Sequence, residues 1–125
     1  MRKILEGIIA NNSPSFCGSF RKDGILVFHK KGNISFTVDT GFSGGIALPK
    51  EILENLKIEF MGYDTFTLAT GDEVELPMYY GIVLVNKKKV ETWFIPGDSL
   101  LGMEFISSIG TILLLDFESK TVQLG

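Results

Sequence analysis

Short apolar runs alternate with turn-forming residues along the chain, and their spacing predicts strands over most of its length. Lys3 to Ala10 reads as a first strand, followed by an Asn11-Asn12-Ser13-Pro14 loop. Phe16 to Phe20 fits a short, irregular strand. Gly24 to His29 is apolar and ends at a Lys30-Lys31-Gly32-Asn33 turn. Ile34 to Val38 is an apolar strand that runs into Asp39. After Ile46-Ala47-Leu48-Pro49 the period changes. Ile52, Leu53 and Leu56 share one helical face and Pro49 suits a first helical turn, so Lys50 to Leu56 predicts a short helix. Ile58 to Met61 returns to extended chain.

The second half opens on a predicted long hairpin, Thr65 to Thr70 and Glu73 to Val85, with Gly71-Asp72 as a two-residue type II′ turn. Near its tip Glu73 and Glu75 alternate with Val74 and Leu76, which gives one wet face and one dry face. Asn86-Lys87-Lys88 turns the chain into a strand from Lys89 to Ile95. Pro96-Gly97-Asp98-Ser99 interrupts it, Leu100-Leu101-Gly102-Met103 follows, and Glu104 to Ile109 predicts a second short helix ended by Gly110. Thr111 to Phe117 and Thr121 to Leu124 are the last strands, with Glu118-Ser119-Lys120 as their turn. The two halves echo each other loosely: apolar strand, glycine-containing loop, helical turn. No linker, low-complexity tract or fixed-period repeat divides residues 1–125. The expectation is one all-β domain with one or two short helices.

Composition narrows the picture. A hydrophobic content of 45%, with ten phenylalanines and one tryptophan, is enough for a core, and Trp93 and the phenylalanines are expected in it. A net charge of −3 and a pI near 5.1 argue against a nucleic-acid or anionic-membrane partner. The single cysteine, Cys17, allows no intrachain disulfide and favours a reducing, cytoplasmic location. Glu6 and Gly7 break the apolar run of the N-terminus, which makes it a poor signal peptide. No apolar run approaches the roughly 20 residues a membrane helix needs.

Candidate chemistry gathers in Asp39-Thr40-Gly41-Phe42-Ser43-Gly44-Gly45. A carboxylate at the end of a buried strand is costly, so it needs a hydrogen bond, a counter-charge or a chemical role. The same triplet suits an Asx turn at a strand end. Three features give it context: the apolar strand before it, the hairpin midway, and Leu100-Leu101-Gly102 ahead of a short helix. With these residues the sequence resembles the retropepsin-like aspartic proteases, in particular their small prokaryotic branch. The resemblance covers roughly Ile34 to Leu124. Residues 11–33 carry none of it, and whether they form a strand pair or an arm stays open.

The resemblance implies an acid-protease half-barrel that forms a symmetric homodimer. Asp39, Thr40 and Gly41 would be the catalytic triplet, with Asp39 meeting its copy on the two-fold axis and the pair activating a water without metal, cofactor or covalent intermediate. Thr40 would bond across the axis. Ala69, Thr70, Gly71, Asp72 and Glu73 would belong to a flap over an extended peptide or protein substrate. Phe42, Ser43, Leu101 and Gly102 would complete the substrate site. The chain departs from the retroviral pattern at Phe42, where Ala or Ser is usual, at Met103-Glu104, where an interface Arg is missing, and at a flap tip with one glycine. The same dimer could bind extended peptides without cutting them, and a small β-barrel for oligonucleotides or sugars is a further alternative. Asp72, Glu73 and Glu75 read as a solvated hairpin face rather than a ligand cluster; if they take part in binding, they would disfavour acidic substrates. His29 stands alone, which gives no zinc set, and it could approach Cys17 only through folding.

Overall fold

The computed structural model describes residues 2–125. Eleven strands follow one another: β1 (Leu5–Ala10), β2 (Ser13–Phe20), β3 (Leu26–Phe28), β4 (Ile34–Val38), β5 (Ile46–Leu48), β6 (Ile58–Thr67), β7 (Glu73–Val85), β8 (Lys88–Pro96), β9 (Leu100–Leu101), β10 (Leu113–Asp116) and β11 (Thr121–Leu124). Two short helices, α1 (Lys50–Leu53) and α2 (Met103–Ile109), lie between them. The all-β expectation holds. No helix among the described residues is long and apolar enough to cross a membrane.

Seven of the strands close a barrel in the order β2–β3–β7–β8–β5–β9–β4, and β4 pairs back onto β2. Closure removes free edges from the ring. Outside it, β1, β11 and β10 extend the sheet from β2, and β6 pairs only with β7. Strand β2 is the hub. Ser13–Ser15 pair with β1, Ser15–Gly18 with β4, and Gly18–Phe20 with β3. Residues 11–33 therefore supply two barrel strands, β2 and β3, rather than an arm.

Several local expectations change. The Asn11–Pro14 loop contracts to Asn11-Asn12, whose φ angles of 52° and 60° make a type I′ hairpin turn and free Ser13 and Pro14 for the ladder. The extended pieces Ile58–Met61 and Thr65–Thr70 are parts of one strand, β6, interrupted by a bulge between Phe60 and Tyr63 and ending at Thr67. Pro77, with no N–H to give, pairs with Tyr63 at the end of the bulge, where a ladder tolerates it. Gly71-Asp72 is not a two-residue turn. Leu68 N–H donates to Asp72 O (2.8 Å) and Gly71 N–H to Leu68 O (2.9 Å), which encloses a three-residue loop with Gly71 at φ 90°. The first helix stops at Leu53 and continues as single turns to Leu56. The second begins at Met103, and Gly110 after it is extended (φ −141°) rather than left-handed. Its lack of a side chain is needed because a Cβ there would strike Leu124.

The core fills the ring. Phe16, Leu26, Phe36, Ile46, Leu48, Val83, Phe94, Leu101 and Phe105 are essentially inaccessible. Phe28 packs on Phe36 and on Phe105 with centroids 5.2 and 5.3 Å apart, so α2 plugs the barrel through an aromatic contact. Not all aromatics are inside as expected: Trp93 is half-buried, and Phe60 and Phe117 are exposed. At the surface Lys30 Nζ reaches Glu6 Oε2 at 2.7 Å and ties β1 to the turn before β4. This hydrogen bond holds the Glu6 carboxyl below its ordinary value.

Phe36→Ala should cost about 4 kcal/mol in denaturant unfolding, because a fully buried ring is replaced by a cavity at the junction of barrel and helix. For Glu6 the folded carboxyl titrates below the unfolded one. Its contribution is full above the unfolded value and is lost as pH falls through the folded value. Glu6→Gln should therefore flatten the acid limb of the stability–pH curve, measured by thermal melts across pH.

Candidate active site

Strand β9 lies between β4 and β5, parallel to the first and antiparallel to the second. The loop that joins β4 to β5, residues 39–45, therefore has to arch over β9. Main-chain bonds fix the arch. Asp39 N–H donates to Leu101 O (3.0 Å), Gly102 N–H to Gly45 O (2.7 Å) and Met103 N–H to Phe42 O (2.8 Å). Leu101 and Gly102 are buried beneath the loop. Gly102 is required by close approach: a Cβ would lie inside the Gly44 carbonyl oxygen, a backbone atom that cannot give way. The Leu100-Leu101-Gly102 segment thus passes beside Asp39 and opens α2.

Asp39 is half-buried, and Thr40 and Gly41 beside it are exposed. The carboxylate Oδ1 accepts the Gly41 N–H at 2.9 Å, and Phe42 N–H donates to Asp39 O at 3.1 Å. Locally this is the Asx-type turn that the triplet also predicted. It uses one carboxylate oxygen. Among the described residues Oδ2 has no hydrogen-bond partner, and it is available to a ligand or a reacting group.

Asp39 borders a cleft of about 530 Å³. Gly41, Phe42, Ala47, Ile95 and Leu100 line it on the barrel side. Phe66, Thr67, Leu68, Ala69 and Leu76 line it from the β6–β7 hairpin. The hairpin and the Asp39 loop therefore face one space. Of the predicted site residues, Asp39, Gly41, Phe42 and Ala69 line the cleft. Thr70, Gly71, Asp72 and Glu73 form the exposed hairpin tip outside its lining, Ser43 is exposed beside it, and Leu101 and Gly102 support the loop from below. Thr70 Oγ1 donates to Asp72 Oδ2 at 3.0 Å, which closes the tip on itself.

Sequence reasoning missed Phe66, Leu68, Ile95, Pro96 and Asp98 as lining residues. For Phe66 a signal existed. It pairs with Val74 across the hairpin and continues the dry face on which Val74 and Leu76 lie. Ile95 and Pro96 reach the cleft through the β5–β8 ladder, which no local pattern announces, and Asp98 follows in the turn after β8.

A second cavity, about 380 Å³, adjoins the first. Phe42, Phe66 and Ile95 line both. At its far side the Trp93 ring meets Tyr80 edge-on at 4.8 Å, and Tyr80 Oη donates to Glu91 Oε2 at 3.0 Å. That hydrogen bond, with partial desolvation and the charges of Glu91 and Glu104, raises the Tyr80 hydroxyl above its ordinary pKa. Elsewhere the His29 ring meets Ser19 Oγ at 3.0 Å, and its backbone N–H donates to the Cys17 carbonyl, so folding gives the thiol no imidazole hydrogen bond. Among the described residues no three His, Cys, Asp or Glu side chains converge on a possible metal position.

No family model matches the chain, and no curated protein or solved structure matches it.

Gly102→Ala should lower stability by about 3 kcal/mol, as overpacking against backbone does. Urea unfolding would measure the loss. Amide exchange at Asp39 and Met103, the donors of the arch, should accelerate with it.

Proposed function

We propose that two copies of this chain form a retropepsin-like aspartic protease that hydrolyses peptide bonds in extended polypeptides. One observation carries the reading: Asp39, its backbone tied to Leu101 O, one carboxylate oxygen held by the Gly41 N–H and the other uncommitted, stands at the edge of a peptide-sized cleft under a hairpin. An extended substrate would lie between hairpin and loop and present alternate side chains to the two sides.

Peptide hydrolysis by carboxylates needs one group to take a proton from water and another to give one to the carbonyl oxygen. A single chain offers one D-T-G triplet. A two-fold axis through the Thr40-Gly41 face would supply the second Asp39, and the two carboxylates would share a proton and titrate as a pair. Gly41 supports this arrangement. It has no positive φ, and within its own chain a Cβ would meet only Asp39 Oδ1, at 3.3 Å. The chain does not itself require glycine there, whereas a partner packed across the axis would. The exposure of Thr40 and Gly41 in the single chain fits the same account. The lone cysteine is compatible with a reducing compartment such as the cytoplasm.

A second reading rests on Phe42, a bulky ring that directly follows the Asp39-Thr40-Gly41 triplet and lines the cleft. With the catalytic face so occupied, the dimer would hold extended peptides without cutting them.

Asp39→Asn should keep fold and self-association and abolish cleavage of an unstructured protein such as casein. Cleavage retained by that variant would sink the catalytic assignment. Peptide capture without turnover by the unaltered protein would favour the second reading. The unaltered enzyme should give a bell-shaped pH–rate profile, the mark of a shared proton. Gly41→Ala should change unfolding stability by less than about 1 kcal/mol, yet weaken the dimer in sedimentation equilibrium.

A further inference from the structure

The cavity beside the cleft has an unusual lining for its charge. Phe42, Phe66, Met78 and Trp93 give it apolar and aromatic walls. Two carboxylate-bearing residues also line it, from separate elements: Asp64 on β6 and Glu104 in the first turn of α2. No lysine, arginine or histidine lines this cavity or the cleft, although the chain carries twelve Lys and Arg residues. The ion pairs of the described residues are Lys3–Glu6, Arg21–Asp23 and Lys30–Glu6, all elsewhere. Asp64 Oδ1 accepts the Thr65 N–H at 2.8 Å, which leaves its second oxygen uncommitted, and Glu104 has no side-chain hydrogen bond among the described residues. The cavity is therefore a sleeve of mixed aromatic and acidic lining, with no cationic side chain of its own to balance the charge.

We propose that this cavity is a subsite for a lysine or arginine side chain of a peptide lying in the Asp39 cleft. The proposal rests on the reading of that cleft as one that holds extended peptides. Long cationic side chains match such a lining. Their methylene stems cover apolar surface while the charged head reaches a polar end. Trp93 is the aromatic residue best suited to face a cation. Phe42, Phe66 and Ile95, shared by the two spaces, connect the sleeve to the cleft, so one peptide can place its backbone over Asp39 and a side chain in the sleeve. A glutamate or aspartate side chain would instead meet Asp64 and Glu104 as like charges.

A library of degenerate decapeptides tests the assignment, with each position fixed in turn as lysine, norleucine or glutamate. Norleucine keeps the stem and removes the charge. Captured peptides are read on immobilised Asp39→Asn protein, and cleaved ones with the unaltered enzyme. At one position lysine should exceed norleucine by about fivefold to thirtyfold, the range of one or two partly exposed charge contacts. Glutamate should rank last. The preference should shrink in about 1 M salt, where the screening length falls to roughly 3 Å. It should vanish in Asp64→Asn combined with Glu104→Gln. Both positions are exposed, and an amide oxygen can still accept the Thr65 N–H, so circular dichroism should show that variant folded. Equal capture of lysine and norleucine, or a preference that survives the double substitution, overturns the subsite. Lysine-selective capture without cleavage supports the subsite and overturns the protease. Cleavage indifferent to lysine overturns only the subsite, and no capture with no cleavage overturns both.

Discussion

The insertion of β9 between β4 and β5 is the constraint on which the rest depends. Two residues, Leu100 and Leu101, supply the only link by which β5 and β4 are joined around the ring. Their carbonyl and amide groups reach both neighbours, and Gly102 then slips under the Gly44 carbonyl into α2. With that link made, the barrel has no edge, its interior can hold Phe36, Phe94 and Phe105 without water, and Asp39 has a fixed position at the surface. A longer inserted strand would have pushed the Asp39 loop outward, and a residue larger than glycine at position 102 would have lifted it off. The cleft floor, the half-burial of Asp39 and the aromatic plug of α2 all follow from one close backbone contact.

How much of this was legible depends on the range over which each feature is encoded. The Asp39 triplet, the Leu100-Leu101-Gly102 segment and the wet and dry faces at Glu73–Leu76 were visible because local residue types carry them. Strand β2 was poorly legible. Its sequence is small and polar apart from Phe16, Cys17 and Phe20, and its order comes from ladders with β1, β3 and β4, none of which local propensity can report. The hairpin tip failed for another reason. Gly71 satisfies either a two-residue II′ turn or the left-handed position of a three-residue loop, and only the register Thr67↔Glu73 decides between them. Trp93 read as core because it lies among apolar neighbours, yet alternation along β8 turns it away from the barrel interior that Phe94 fills.

Charge is distributed with a direction. Asp39, Asp64, Asp98 and Glu104 border the two connected spaces, and acidic residues also edge the hairpin tip. Lys87, Lys88 and Lys89 lie at the β7–β8 turn, at the opposite end of the ladder from the tip. The net charge of −3 thus understates the negative field near the cleft. Such a field acts on encounter with a charged partner before any contact forms.

The ladders that β7 makes with β6 and β8 give the hairpin a mechanical character. Its residues Tyr79 to Val85 are tied to β8, whereas Glu73 to Pro77 pair only with β6, which belongs to no ring strand but β7. The bulge between Phe60 and Tyr63 lies at this boundary, with Gly62 in a left-handed conformation (φ 101°) and Pro77 paired with Tyr63 at its end. The distal arm is a lever whose fulcrum coincides with the weakest point of its own ladder. Swinging it costs the barrel none of its hydrogen bonds, so the roof of the cleft can lift while the floor beneath Asp39 stays rigid.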